Sequence, residues 1–376
     1  MGNPKNLQHL PRRCTLTRPI ARLQATIPPV SDPKRILLIR PSALGDVCRS
    51  VCVLAALKQR FPDAQIDWMV QDTFVEAIAH HPALHNPIPF NRKLFGKQCK
   101  KGRFLPLLRW LRQLKHTRYD LVIDAQGLAR SGFFTWATRA LVRVGYRDAQ
   151  ESAWIFLNKR VDAPRTLHTV DRMLKLAESV GADISKPDMR LYASDDERSQ
   201  VIIEYPERYA VIAPTSRWAG KCWPIERFTE LTERLIARPE IDRILIVGGP
   251  GERLSCAPLL ELAENHPHIT DRVGSTSIAQ LLAIISRAQL VVANDSAAIH
   301  MAVGFDRPLI ALLGPTEPSL VGPYHHDHDV IRHANDDDTF HFRDQKSVEM
   351  MDRITTDEVF DACIERLSVP IRNPVN

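Results

Sequence analysis

Residues 35–47, RILLIRPSALGDV, read as a buried strand that stops at a Pro-Ser-Ala-Leu-Gly turn and delivers an aspartate, Asp46, to the start of the next helix. An unbroken apolar run of this length, with no polar alternation, is the pattern of a parallel strand covered on both faces. The same alternation of short apolar runs with amphipathic stretches continues downstream. Strands are expected at 35-RILLIR-40, 65-QIDWMV-70, 119-YDLVIDA-125 and 142-VRVGY-146, with helices beginning near Gly45, Phe74, Phe104 and Arg130. A second series follows at 209-YAVIAP-214, 243-RILIVGG-249, 289-QLVVAND-295 and 308-PLIALLG-314, with helices around 224–237, 252–264 and 277–287.

The fold class is therefore α/β, two Rossmann-like domains facing across a cleft. Their expected limits are 35–195 and 205–350, followed by a C-terminal helix and tail at 351–376. Between the halves, 168-HTVDRMLKLAESVG-181 reads as a helix closed by a glycine, and 185-SKPDMRLYASDDERSQ-200 as a polar link. Residues 1–34 carry Lys5, Arg12, Arg13, Arg18, Arg22 and Lys34 against Asp32 alone, with several prolines, and read as a basic disordered arm.

Composition limits the function classes. At 376 residues and 44% apolar, the chain can bury two cores, and its formal charge of +6 favours anionic partners. The seven cysteines lack CxxC spacing, which points to a reducing compartment and against a disulfide framework or zinc site. Cys48 and Cys52, one helical turn apart, read as small packing residues. No apolar run reaches the roughly 20 residues that span a bilayer. Two acidic or histidine-rich stretches, 325-HHDHD-329 and 335-NDDDTF-340, follow no core strand, so no metal site is expected.

Sites in such sheets form at the carboxyl ends of the strands, where loops lead into helix N-termini that attract anions. The first such loop, 41-PSALGD-46, is neither GxGxxG nor a P-loop. Its Asp46, kept ionised by a helix N-terminus, suits a general base, and an ordinary N-cap aspartate fits the same residues. In 214-PTSRWAGKCWP-224, hydroxyls Thr215 and Ser216 with Lys221 suit a diphosphate; a surface loop with packing tryptophans is the other reading. The glycines of 247-VGGPGE-252, Gly249 among them, allow close backbone approach to a ligand or simply a tight turn. In 294-NDSAAIH-300, Asp295, Ser296 and Ala297 open a helix that carries His300 one turn past Ser296, a phosphate or sugar site or else a capped helix with a core histidine.

The longest one-sided charge run lies between Glu76 and Asp120, where Arg92, Lys93, Lys97, Lys100, Lys101, Arg103, Arg109, Arg112, Lys115 and Arg118 meet no acidic residue. Aromatics mixed with cations in 92-RKLFGKQCKKGRF-104 suit a phosphorylated amphipathic acceptor, although a solvated face has the same composition.

Taken together, 40-RPSALGDV-47, 119-YDLVIDAQGLARSG-132, 215-TSRWAGKCWP-224, 294-NDSAAIH-300 and 314-GPTEP-318 resemble, in the same order, the bacterial heptosyltransferases of lipopolysaccharide synthesis, members of glycosyltransferase family 9. The resemblance runs from about Arg35 to Tyr324. It implies a GT-B fold and an inverting transfer of heptose from ADP-L-glycero-D-manno-heptose to the Kdo-lipid A inner core. Asp46 then matches the family's base and Lys221 the lysine that meets the diphosphate. Thr215, Ser216, Gly249, Asp295, Ser296, Ala297 and His300 fall on the donor side. Gly45, Gln126 and the patch Arg92, Lys93, Lys97, Lys100, Lys101 and Arg103 fall on the acceptor side. Ala297 stands where related sequences commonly have glycine. Neither metal nor cofactor is implied, and the expected location is cytoplasmic with peripheral contact at the inner leaflet of the inner membrane.

Three other readings are weighed against this one: a family 9 transferase with another nucleotide sugar, a dinucleotide-dependent oxidoreductase, and a basic nucleotide- or nucleic-acid-binding protein. The absence of GxGxxG after either first strand disfavours the oxidoreductase, and no nucleic-acid module supports the third, so no nucleic-acid partner is expected.

Overall fold

The computed structural model describes residues 32–335, 338 and 347–369. The expected basic arm, apart from its last three residues, and most of 335-NDDDTF-340 lie outside the described residues.

The first half forms a six-stranded sheet of β1 (Arg35–Ile39), β2 (Gln65–Gln71), β3 (Asn86–Phe90), β4 (Leu121–Asp124), β5 (Val142–Tyr146) and β6 (Lys159–Val161) in the order β3-β2-β1-β4-β5-β6. The second half repeats that order with β7 (Tyr209–Ala213), β8 (Arg243–Gly248), β9 (Ile269–Val273), β10 (Leu290–Asn294), β11 (Leu309–Leu312) and β12 (Val330–Ile331), as β12-β11-β10-β7-β8-β9. Every strand pair is parallel. Strand order therefore reverses between β1 and β4 in one half and between β7 and β10 in the other. Doubly wound sheets bind ligands at such switch points.

The register aligns these ends: Ile39 lies opposite Met69 and Asp124, and Ala293 opposite Ala213 and Ala311. The central strands bury Ile36, Leu37, Leu38 and Ile39, and Leu290, Val291, Val292 and Ala293, on both faces, as the unbroken apolar runs require.

The halves share one apolar core, because helix 44–49 packs on helix 297–304 and helix 278–287 packs on the turn at 72–77. The contact of the first pair is close. A Cβ at Gly45 would lie 2.9 Å from His300 Cδ2 and 3.5 Å from the Ala297 Cα, so only glycine lets the two helices meet this way. The expected helix before the link runs over Thr169–Glu178, with Gly181 at φ +91° behind it.

Two local expectations are corrected, and one stretch with no expected element is helical. The polar link is shorter than read, since Asp195–Glu204 is a helix packed against helix 278–287 of the second half. The cationic run after Asn91 is the helix Arg92–Lys100, capped by the Asn91 side chain accepting from the Leu94 N–H at 2.7 Å, and it turns back into helix Leu105–His116. Four strands also lie beyond those read from the sequence: β3, β6, β9 and β12, the outermost strands of the two sheets.

Cys48 and Cys52 are buried free thiols, and burial pushes both up to about 12, which leaves them as inert packing groups. No helix among the described residues is long and apolar enough to cross a membrane.

Candidate active site

The loop after β1 bends so that Asp46 becomes the third residue of helix Leu44–Arg49 rather than its N-cap, which is Ala43. Its carboxylate reaches back to accept from the Ala43 N–H at 3.1 Å, as in a capping box. Two guanidiniums grip the same group: Arg40, from the end of β1, lies 3.0 Å from Oδ2, and Arg49 donates to Oδ1. Burial by itself would raise the Asp46 carboxyl. Arg40, Arg49 and the Ala43 N–H outweigh it and hold the group well below the ordinary carboxylate range. A quarter of the side chain remains exposed, against 10% of Arg40 and 6% of Arg49.

The loop after β4 completes this wall. Gln126 Oε1 accepts from the Ser42 N–H at 3.4 Å, and Arg40 donates to the Ala125 carbonyl at 2.5 Å. Asp124, fully buried, shapes the loop by accepting from the N–H groups of Gln126 and Gly127, each at 3.0 Å, and from the Ser131 hydroxyl at 2.9 Å. Burial dominates these bonds and pushes the Asp124 carboxyl up to about 6.

The folded chain thus keeps a proton that the unfolded chain has lost between about pH 4 and pH 6, so this group's contribution to stability falls as pH rises through that window. Asp124→Asn removes the titration. Its stability relative to the wild type should rise by roughly 3 kcal/mol between about pH 4 and pH 7.5, measured by urea unfolding at both ends; an offset that does not change with pH would contradict this.

In the second half, the loop after β7 is pinned by Asn294, whose Oδ1 accepts from the Trp223 N–H at 3.0 Å and whose Nδ2 donates to the Pro214 carbonyl at 2.6 Å. Trp223 is buried and donates its indole N–H to the Ile354 carbonyl, so one tryptophan of this loop is structural. The other, Trp218, lies beneath the exposed Arg217 guanidinium, 5.3 Å from its ring centre.

Thus held, Lys221 Nζ meets Asp295 Oδ2 at 2.5 Å, with 16% and 12% of the two side chains exposed. Thr316 donates to the same oxygen at 2.5 Å, and Ser216 donates to the Asp295 main-chain carbonyl at 2.8 Å. Burial works to raise the Asp295 carboxyl, but Lys221 and Thr316 prevail and lower it.

Ser296 is the N-cap of helix Ala297–Gly304, with no side-chain bond of its own to the helix. His300, buried on that helix, faces Gly45. Burial and the Arg49 cation push its imidazole down more than Asp295 and Asp46 push it up, so it is neutral near pH 7. At the end of β8, Glu252 Oε2 accepts from the Gly249 N–H and from Thr215 Oγ1, each at 2.6 Å.

The structure therefore brings Asp46, Gly45, Gln126, Ser296, Ala297, His300, Asp295, Lys221, Ser216, Thr215 and Gly249 to the carboxyl ends of β1, β4, β7, β8 and β10. The patch stands apart. Arg92, Lys93, Lys97, Lys100, Lys101 and Arg103 follow edge strand β3, two strands or on the order of 10 Å from β1. All six are exposed, and none is ion-paired with a described residue.

Sequence reasoning missed Arg40, Arg49, Glu252, Asn294 and Thr316. Each flanks or sits inside a stretch that was already singled out, and Glu252 carries the clearest signal, a carboxylate closing a glycine turn after a strand. Among the described residues His326, His328 and Asp329 could hold a metal by spacing, but Asp329 already meets the Arg366 guanidinium, whose charge opposes a second cation. A cavity of about 1130 Å³ between the link and helix 278–287, lined by Arg190, Arg198, Arg287 and Phe305, contains none of the site residues.

Comparison with known proteins gives the family and the fold. Residues 107–351 match the model of glycosyltransferase family 9 (heptosyltransferase). The chain is 31% identical to lipopolysaccharide heptosyltransferase 1 of Pseudomonas aeruginosa over 77% of its own length and 81% of the relative's. It is 27% identical to the lipopolysaccharide core heptosyltransferase OpsX of Haemophilus influenzae, over 80% and 84% of the two chains. Among solved structures, E. coli heptosyltransferase WaaC with ADP superposes with a TM-score of 0.72 at 26% identity, covering 88% of this chain and 99% of that one. E. coli ADP-heptose lipopolysaccharide heptosyltransferase II gives the same score at 22% identity and supports the fold, two Rossmann-like domains of GT-B type. The chain belongs to glycosyltransferase family 9, the heptosyltransferase family.

Proposed function

We propose that this chain moves heptose from ADP-heptose to the Kdo-bearing inner core of lipid A, with inversion at the anomeric carbon. One observation carries the reading. The carboxylate at the first switch point, Asp46, and the Lys221–Asp295 pair at the second flank one side chain, His300, which packs on Gly45 and feels the charge of both carboxylates.

In the proposed reaction an acceptor hydroxyl gives its proton to Asp46 as its oxygen bonds to the anomeric carbon and the bond to the ADP oxygen breaks. Asp46 stays ionised but is a weak base between two guanidiniums, so its proton transfer comes late, once the anomeric carbon has oxocarbenium character and the bound hydroxyl has become acidic. Lys221 and the N-terminus of helix 297–304 at Ser296 and Ala297 meet the charge that develops on the diphosphate, joined by the hydroxyls of Thr215 and Ser216 once these turn from Glu252 and the Asp295 carbonyl. Asp295 orients Lys221, and Glu252 accepts from ribose hydroxyls, as a carboxylate after the second strand of a Rossmann unit does. With Lys221 and a helix end serving the diphosphate, the proposed reaction needs no divalent metal.

A donor panel tests this reading. ADP-heptose should bind more tightly than ADP-glucose, UDP-sugars or GDP-sugars; equal binding of the panel, or preference for another sugar, would return the choice to a family 9 transferase with a different donor.

The acceptor is lipid-linked, and the protein is proposed to meet it at an anionic membrane surface. The unpaired cations of the hairpin 92–116 support this, together with the large apolar groups beside them: Leu94, Phe104, Leu105 and Leu108 are 44%, 54%, 53% and 49% exposed. Binding to phosphatidylglycerol vesicles should weaken with salt. Replacing Lys97, Lys100 and Lys101 together by glutamine should weaken it roughly a hundredfold. Absence of binding at low salt would remove the membrane from the account.

A further inference from the structure

The segment after β11 is tied to the first half in a concentrated way. Three successive carbonyls accept from side chains of that half: Leu320 from Thr169 Oγ1 at 2.9 Å, Val321 from Arg49 Nη1 at 3.0 Å, and Gly322 from His168 Nε2 at 3.2 Å. Two residues on, the Tyr324 hydroxyl donates to Asp171 at 2.6 Å. His168 can donate here because its Nδ1 accepts from the Val170 N–H, which fixes the tautomer.

Of these ties, the one through Arg49 also reaches the reacting carboxylate. One nitrogen of its guanidinium donates to Val321 of the second half and the other to Asp46 of the first. The side chain is 6% exposed, and its Nε has no partner, so these two contacts are what hold the group in place. Such a bond is lost when donor and acceptor part by about 1 Å. A small separation of the halves is therefore enough to free the guanidinium on one side.

We propose that Arg49 is a positioning residue that couples the docking of segment 318–324 to the aim and charge environment of Asp46. With the segment docked, Arg49 is anchored at Val321 and holds the carboxylate towards the cleft. With the segment lifted, the anchor is lost and Asp46 is held by Arg40 and the Ala43 N–H alone. The inference rests on Asp46 acting as the base, and it adds that the base is assembled by both halves rather than by the first.

The charged groups around Asp46 are Arg40 at the end of β1, Arg49 on its own helix, and His300 on the helix packed against it, with His168, Asp295 and Asp124 behind these. His168 and His300 are both pushed down by burial, so Arg40 and Arg49 are the cations that act on Asp46 near pH 7. Asp124 titrates in wild type and variants alike and cancels from their comparison.

The test combines pH profiles with hydrogen exchange on the full chain. Arg49→Gln should lower kcat about tenfold to a hundredfold, a typical cost of misplacing a reacting group. It should also shift the acid limb of kcat to higher pH, which a merely structural role would not do, and leave the ADP dissociation constant unchanged. Arg49→Lys keeps the charge but not the fork, so the acid limb should stay low while kcat still falls. Thr169→Val, which loosens the segment without touching Asp46, should lower kcat in the wild type and add little in the Arg49→Gln background. Amides of 318–324 should exchange faster in both single variants.

An acid limb unmoved by Arg49→Gln, or fully additive effects of the two substitutions, would overturn the coupling. An active Asp46→Asn variant would instead overturn the base reading, so the two failures are distinguishable.

Discussion

Replacing Asp46 by asparagine is expected to lower kcat by about 10²–10⁴-fold while ADP binds as in the wild type. The amide can still accept from the Ala43 N–H and keep the capping box, so helix 44–49 remains formed. What is lost is the proposed proton acceptor, and with it the negative charge between Arg40 and Arg49. Those two buried guanidiniums then face each other without a counter-charge, so some loss of stability accompanies the loss of turnover. Single-turnover measurements with donor and acceptor at saturation separate the two, because an unfolded fraction lowers the amplitude and a missing base lowers the rate. Near-wild-type rates in a folded Asp46→Asn protein would show that another group takes the proton.

Lys221→Ala is expected to lower kcat by about 10²–10³-fold and, unlike the first variant, to weaken ADP as well. The lysine sits 2.5 Å from Asp295 in a site where both side chains are largely buried. Removing the cation takes away the main group that lowers the Asp295 carboxyl and leaves that acid, still bonded to Thr316, where the proposed reaction puts the diphosphate. Part of the loss is therefore repulsion rather than missing attraction. Adding Asp295→Asn to Lys221→Ala should recover a measurable share of ADP affinity in calorimetry, whereas Asp295→Asn alone should reduce activity by freeing the lysine from its aim. Unchanged ADP affinity in Lys221→Ala would place the diphosphate elsewhere.

The sequence was most legible where the environment of the chain is most uniform. The strands read from it, β1, β2, β4, β5, β7, β8, β10 and β11, lie inside the sheets and are paired on both edges, so they are predominantly apolar, with Asp67 in β2 and Arg143 in β5 as interruptions. The outer strands β3, β6, β9 and β12 lack those constraints. β3 is NPIPF, with two prolines that an edge tolerates because one row of N–H groups has no partner to lose. β6 is KRV with no buried residue, and β12 has only two residues. Nothing in their composition separates them from loops. Helix 195–204 was hidden for a related reason: it buries Val201 alone and opens on the acids Asp195, Asp196 and Glu197, and so resembles a solvated link.

The site divides in the same way. Asp46, Lys221, Asp295 and His300 were legible because they lie in the loops that follow strong strands or in the first turn of the helices those loops open. Their partners were not. Arg40 and Arg49 lie six and three residues from Asp46, but that their guanidiniums converge on one carboxylate depends on the bend at 41–43 and on the second half packing over them. Asn294 and Thr316 act through bonds to residues 71 and 21 positions away, which no local pattern records.

The most direct test of the account is to incubate the protein with ADP-heptose and Kdo-lipid A, with and without EDTA, and to analyse the lipid by mass spectrometry. The expected result is a Kdo-lipid A product carrying one added heptose, formed equally well with chelator and accompanied by stoichiometric ADP. An unmodified lipid in the presence of a folded, ADP-binding protein would contradict it.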